Sequence, residues 1–189
     1  AFDVALARRS PRGLPLIHAL VLALDGATGA PLALLEGSSL TAIRTGAASG
    51  VATDALARPD ARSVALFGSG VQARRQLEAV CTVRAIERVR VYSLVGAEAL
   101  AAEMAGHGPI PADISVTGSP REALAGADIV CAATTSRTPV FAGGDLEPGT
   151  HVNAIGSFTP EMQEIDAETV RRARVVIDSR AAALAEAGD

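Results

Sequence analysis

Lysine is absent from this chain: all 17 basic residues among its 189 are arginine. Schiff-base or lysine acid–base chemistry therefore cannot arise within these residues. Tryptophan is also absent and aromatics make up 3%, so the core must be built from Ala, Val, Leu and Ile. The net charge is −4, and no basic cluster interleaved with aromatics is present, which argues against a nucleic-acid partner. No run approaches the roughly 18 apolar residues of a membrane span. No signal-peptide pattern is read, and a cytoplasmic location is expected. Two cysteines, Cys81 and Cys131, fall in an expected helix and strand and read as small core residues of a reduced protein. The three histidines, His18, His107 and His151, are not spaced as metal ligands. They read as structural, with His151 the weak exception because it opens a strand. No metal site is expected.

What is present centres on residues 63–76, SVALFGSGVQARRQ. Ser63 to Phe67 is a short, mostly apolar strand, Gly68-Ser69-Gly70 a tight turn, and Val71 the start of a helix. In that helix Val71, Ala73, Leu77 and Val80 are the apolar positions. Strand, glycine turn and helix form the dinucleotide fingerprint in its required context. Gly68 permits the turn, Gly70 lets a pyrophosphate reach the backbone, and Ala73 keeps helix and strand close. The helix N-terminus offers free N–H groups and partial positive charge to phosphate.

Residues 1–13 read as an exposed connection. Strands are expected at 16–24 and 31–35, joined as a hairpin across Asp25–Gly29. A helix follows at 38–57, capped by Ser38 or Ser39, with Leu40, Ile43, Ala47, Val51 and Leu56 as its apolar face. From Ser63 strands (63–67, 88–92, 114–117, 128–132, 150–155, 174–177) alternate with helices (71–84, 97–106, 120–124, 167–172), and 180–187 follows as a further helix. A small hairpin is expected at 138–144. This alternation predicts an α/β fold, a Rossmann-type doubly wound parallel sheet. Residues 58–189 would form the dinucleotide-binding domain. Residues 1–57 are too little to bury their own apolar faces and are expected to belong to a second, substrate and dimerisation domain, or to an oligomer interface.

The strand at 88–92 should end beside the adenine ribose. A carboxylate there binds the 2′-hydroxyl of NAD and repels the 2′-phosphate of NADP. Here Ser93 stands at that position, so NADP is admissible and is favoured over NAD, although no arginine follows to hold the phosphate. Arg44 lies beside the apolar face of a helix rich in small residues, where it would either clamp a carboxylate bidentately or sit as a solvated or interface arginine. Two loops, 133–139 and 152–160, should meet the glycine turn at the carboxyl edge of the sheet; their hydroxyls and glycines suit ribose and carboxamide contacts, or ordinary turns.

The stretches GAPLALLEG, LTAIRTGAASG, FGSGVQAR, ADIVCAATTSRTPVF and GTHVNAIGSFTPEMQEID together resemble the ornithine cyclodeaminase/mu-crystallin family, in the family's order, from about Leu14 to Asp189. The resemblance implies a Rossmann domain binding NAD(H) or NADP(H) and a second domain forming the dimer and substrate pocket. It implies that Arg44 binds the substrate carboxylate. It places the pyrophosphate contact on Val71 and Gln72, the threonine after the fourth Rossmann strand at Thr134, and the nicotinamide-side loop on Val152, Asn153, Ala154 and Ile155. The family's earlier pocket arginine and its pocket lysine, the natural proton donor, precede the matched region. An N-terminal part and a returning C-terminal segment are therefore expected outside these residues. The cyclodeaminases carry an aspartate in a Gly-Gly-Asp-Cys-Pro loop, where this chain reads Gly156-Ser157-Phe158-Thr159-Pro160.

The expected function is NAD(P)H-dependent reduction of a small imino acid, such as pyrroline-2-carboxylate, to an amino acid. Arg44 would hold the carboxylate, and proximity would supply much of the acceleration. Two alternatives stand beside it: an ornithine cyclodeaminase-like lyase using NAD, and a non-catalytic NADP(H) and small-ligand binder of the mu-crystallin type. The expected partners are a small imino-acid or amino-acid substrate and a second copy of the chain, with no nucleic acid or membrane.

Overall fold

The computed structural model describes residues 18–189. The expected connection at 1–13 and the start of the first strand, 16–17, lie outside the described residues. The chain divides into two compact units, one ending at Arg44 and the other running from Thr45 to Asp189. The boundary expected near 58–62 falls inside the second unit.

In the first unit β1 (Leu20–Leu24) pairs antiparallel with β2 (Pro31–Glu36). His18 precedes the strand instead of lying in it. Asp25 makes the turn between them. Its Oδ1 accepts the N–H groups of Ala27 at 3.0 Å and Thr28 at 2.7 Å, and Gly29 closes the turn at φ +73°, a value that favours glycine.

Helix α1 (Gly37–Leu56) follows directly. The expected serine cap is replaced: the carboxylate of Glu36 accepts the N–H groups of Ser38 at 2.8 Å and Ser39 at 2.7 Å. A carboxylate satisfies two orphan donors at once and complements the positive end of the helix. Bonds from Ser39 and then Ser38 bring the Glu36 carboxyl down to about 2. The other end is closed by Arg84, whose guanidinium donates to the carbonyls of Thr53, Asp54 and Ala57 at 2.8–3.1 Å.

The buried face of α1 is not the expected one. Leu40, Ile43, Val51 and Leu56 are exposed, Val51 at 71%. The buried positions from Thr45 onward are Gly46, Ser49, Gly50 and Thr53. A Cβ on Gly46 would lie 2.8 Å from the carbonyl oxygen of Arg75, and one on Gly50 would lie 3.3 Å from Cβ of Ala79. The second half of α1 therefore meets the next helix nearly backbone to backbone, and only small residues fit there.

The second unit is built on five parallel strands. These are β3 (Ser63–Phe67), β4 (Arg88–Tyr92), β5 (Ile114–Val116), β6 (Ile129–Ala132) and β7 (His151–Ala154), in the order β5-β4-β3-β6-β7. Helices α2 (Val71–Val83), α3 (Ala97–Met104), α4 (Pro120–Leu124), α5 (Ala167–Arg172) and α6 (Arg180–Glu186) complete it. The order is that of a doubly wound sheet, and it reverses between β3 and β6. Strand alternation splits the core. Val64 and Leu66 face Leu77, Val80 and Leu100 of α2 and α3. Ala65 and Phe67 face Ala123 and Leu124 of α4 and the ring of Phe141, 5.1 Å from Phe67 between centroids. Cys81 and Cys131 are buried and free, and burial pushes both thiols up to about 12.

Three local readings are corrected. Residues 174–177 form no strand; Val175, Val176 and Ile177 are 47–59% exposed. Strand propensity is realised only when a ladder partner is present, and no described strand pairs with this run. Residues 138–144 form no hairpin: the described turn is a 3₁₀ segment, Gly143–Asp145, whose first amide is held by Asp166 at 2.9 Å. In α2, Val71 is 65% exposed and Gln76 is fully buried, because Nε2 of Gln76 donates to the Thr45 carbonyl at 3.3 Å where α1 crosses. Among the described residues no helix is long and apolar enough to cross a membrane.

Candidate dinucleotide site at the strand switch

The carboxyl ends of β3 and β6 open the crevice where a doubly wound sheet binds its ligand. Gly68 leaves β3 at φ +101°, and a Cβ there would meet the Ala133 carbonyl oxygen at 2.5 Å. The glycine is thus required twice, by conformation and by space. Gly70 is different. Its φ of −78° suits any residue, and an added Cβ would meet nothing within 4 Å. What Gly70 leaves open is room above the backbone, where a pyrophosphate would come.

The turn is aimed by two neighbours. Arg74, on the first turn of α2, donates to the carbonyls of Ser69 at 2.5 Å and Gly70 at 3.2 Å. A trans peptide directs its N–H opposite to its C=O. The N–H groups of Gly70 and Val71 consequently point away from Arg74, towards the open side. Arg74 is itself fixed by Glu103 at 2.6 Å, a bond that also lowers the Glu103 carboxyl. No side chain caps α2, so its N-terminus keeps free donors and positive potential for an anion. Ser69 Oγ donates to the Val95 carbonyl at 2.6 Å, as does Ser93 at 2.9 Å. These bonds tie the glycine turn to the loop after β4. The Ser93 hydroxyl is thus already donated, and β4 ends with neither carboxylate nor guanidinium at Ser93-Leu94-Val95.

Across the crevice, Thr134 follows β6 and is half-buried. Its N–H donates at 2.5 Å to Oε1 of Glu164, whose Oε2 accepts from the Gly156 N–H at 2.5 Å. Glu164 is fully buried. Burial pushes its carboxyl up, although bonds from Thr134 and Gly156 oppose this. Among the described residues three buried side-chain oxygens have no protein partner, Gln72 Oε1, Gln76 Oε1 and Ser157 Oγ.

The structure separates the expected nicotinamide-side residues. Val152 is partly buried and packs against the core cluster that includes Phe67 and Phe141. The Asn153 side chain turns inward, donating to Thr53 Oγ1 at 3.0 Å. Ala154 and Ile155 reach the carboxyl edge; Ala154 is exposed and Ile155 partly so. Gly68, Ser69, Gly70, Ser93 and Thr134 lie on turns at the carboxyl ends of β3, β4 and β6, and Val71 and Gln72 open α2. Arg44 is exposed on α1 at the end of the first unit. Phe158 is 53% exposed in the loop after β7.

Sequence reasoning missed Arg74 and Glu164. Arg74 stands four residues after Gly70, one turn into the helix, which is the spacing needed to reach back to the turn carbonyls. Glu164 carries no local signal, because its partners lie 30 and 8 residues away. The open space over Gly70 and the outward N–H groups fit a dinucleotide along the crevice.

Comparison with known proteins bears on the family and the fold. The sequence profile of the ornithine cyclodeaminase/mu-crystallin family matches residues 5–189. A Delta(1)-pyrroline-2-carboxylate reductase of Bacillus cereus is 45% identical over 178 residues, 94% of this chain and 54% of that protein. Mouse ketimine reductase mu-crystallin is 35% identical over 182 residues, 95% of this chain and 56% of that protein. The structure of Thermococcus litoralis Delta(1)-pyrroline-2-carboxylate reductase, in complex with NADH and L-proline, superposes with a TM-score of 0.89 at 48% identity. It covers 94% of this chain and 55% of that one. The chain thus spans about half the length of the relatives it matches. With the doubly wound sheet, the glycine turn and the family's motifs in order, the chain belongs to the ornithine cyclodeaminase/mu-crystallin family.

Proposed function

We propose that this chain carries the dinucleotide half, and Arg44 of the substrate half, of an NAD(P)H-dependent reductase of small imino acids of the pyrroline-2-carboxylate type. The observation that carries the reading is the crevice at the β3/β6 switch. Its glycine turn presents outward N–H groups, and the surrounding sequence is 45–48% identical to pyrroline-2-carboxylate reductases.

In this reading the N-terminus of α2, with Gly70, Val71 and Gln72, holds the pyrophosphate. Arg74 keeps the turn in place. The loops after β6 and β7, with Thr134, Ala154 and Ile155, border the nicotinamide. When bound, the reduced cofactor supplies the hydride. Arg44 grips the substrate carboxylate as a fork and orients the imine. β4 carries no acid at its end to exclude NADP and no arginine to demand it, so either cofactor is accepted. The domain division at 57/58 belongs to the same reading, as do a homodimer and a cytoplasmic location, with neither nucleic acid nor membrane as partner. The exposed leucines of the hairpin, Leu20 at 73% and Leu32 and Leu34 at 66%, support an interface there.

The lyase reading is weakened by Phe158. It stands in the loop where the cyclodeaminases place an aspartate, and it cannot bind an ammonium as a carboxylate does. The deciding assay follows NADPH and NADH absorbance with pyrroline-2-carboxylate in the full-length protein. Net oxidation of either supports the reductase. Ammonia release from ornithine without net NADH production would replace it with the lyase, and cofactor binding without turnover would replace it with the binder.

A further inference from the structure

We propose that Glu164 is a positioning residue for the nicotinamide end of the cofactor. Its buried carboxylate clamps the loops after β6 and β7 in the arrangement that receives the ring. The inference rests on the dinucleotide reading above.

One carboxylate oxygen takes the N–H of Thr134 and the other takes that of Gly156, both at 2.5 Å. These amides belong to the two loops that border the crevice on the β6 and β7 side. Short bonds to a carboxylate are the strong, charge-assisted kind, and holding one group from two oxygens fixes its orientation. The junction tolerates no slack. A Cβ on Gly156 would collide with the Thr134 carbonyl oxygen and lie 2.5 Å from Cδ of Glu164. A Cβ on Gly68 would in turn meet the Ala133 carbonyl oxygen at 2.5 Å and the Thr134 methyl at 3.3 Å. Three turns, after β3, β6 and β7, are therefore interlocked through Thr134.

The segment bearing Glu164 is anchored in the same place. Its carbonyl accepts from Val140 N–H at 2.8 Å, and Gln163 N–H donates to the Ser136 carbonyl at 3.0 Å. Among the described residues no ion pair involves Glu164, and the neighbouring Asp189 carboxylate adds to the burial that pushes its carboxyl up. A buried, unpaired carboxylate is a poor way to add stability, because its desolvation opposes folding. Its value lies in what two oxygens on one rigid group can hold apart at a set distance. A glutamine at this position presents an NH₂ to one of the two amides and cannot hold both.

The test separates the two ends of the cofactor. NADH and ADP-ribose share the adenosine and pyrophosphate, and only NADH carries the ring. In full-length protein, E164Q is expected to bind NADH at least tenfold more weakly and ADP-ribose within twofold of wild type, by calorimetry. The fluorescence of bound NADH should shift towards that of free NADH. If E164Q does not fold, E164D carries the same test, because it keeps the charge and withdraws the carboxylate by one methylene. Equal losses for both ligands would assign Glu164 a general scaffold role and overturn the proposal, as would unchanged NADH binding. Wild type binding neither NADH nor ADP-ribose would remove the dinucleotide reading, and this role with it.

Discussion

The side-chain amide of Asn153 donates to the hydroxyl of Thr53 at 3.0 Å, inside the protein and across 100 positions of sequence. The carbonyl end of the same amide meets Nε2 of His151 at 3.1 Å. Burial lowers the pKa of His151, against the raising effect of Asn153. The network joins the end of α1 to β7. It also holds the Asn153 side chain inward.

Replacing Thr53 by valine keeps the shape and removes the hydroxyl. The Asn153 amide is then left without its buried acceptor, at a cost of about 1–3 kcal/mol. Urea unfolding of T53V should show the midpoint fall with an unchanged slope. A midpoint equal to wild type would mean that water or another group takes the bond at no cost.

Gly70→Val should leave the fold intact and weaken NADH binding at least tenfold. The backbone at Gly70 suits any residue, and a Cβ there touches no protein atom, so the new side chain occupies only the ligand's space. Calorimetry on the folded variant decides the matter, and undiminished affinity rejects the site.

Arg44→Ala should lower kcat/KM for pyrroline-2-carboxylate by about 10- to 150-fold. This follows from losing a charged hydrogen-bonded pair worth roughly 1.5–3 kcal/mol. Arg44→Lys should recover little, because an ammonium cannot reproduce the fork. NADH affinity should change less than substrate efficiency. Near-wild-type kinetics would make Arg44 a structural residue.

Acid sensitivity should centre in part on Asp128. Burial alone would raise its carboxyl, but bonds from Arg62 N–H and from the Ser63 N–H and hydroxyl, with Arg58 beside it, hold it below the ordinary 3.8. A carboxyl depressed in the folded state stabilises above its unfolded pKa, and that contribution is lost as pH falls through the folded value. The stability gap between wild type and D128N should therefore be widest at pH 6 and shrink below about pH 4. A gap independent of pH between 2 and 6 would contradict this role.

The strands at 63–67 and 88–92 and the start of α2 were legible because their cause is local. Apolar runs, a glycine turn and a helix onset lie within a few residues of each other. The family, the sheet class and the glycine turn follow from that stretch and the motifs on either side of it. Contacts distant in sequence decided the rest. The face α1 buries is set by how closely it crosses α2, so Gly46 and Gly50 lie inside and Val51 lies outside; hydrophobic periodicity cannot register a contact made by backbone. Residues 174–177 have the composition of a strand but no described partner. The inward turn of Asn153 depends on a hydroxyl 100 residues earlier. The clamp at Glu164 exists only because β6 and β7, adjacent in the sheet, bring Thr134 and Gly156 to a single carboxylate.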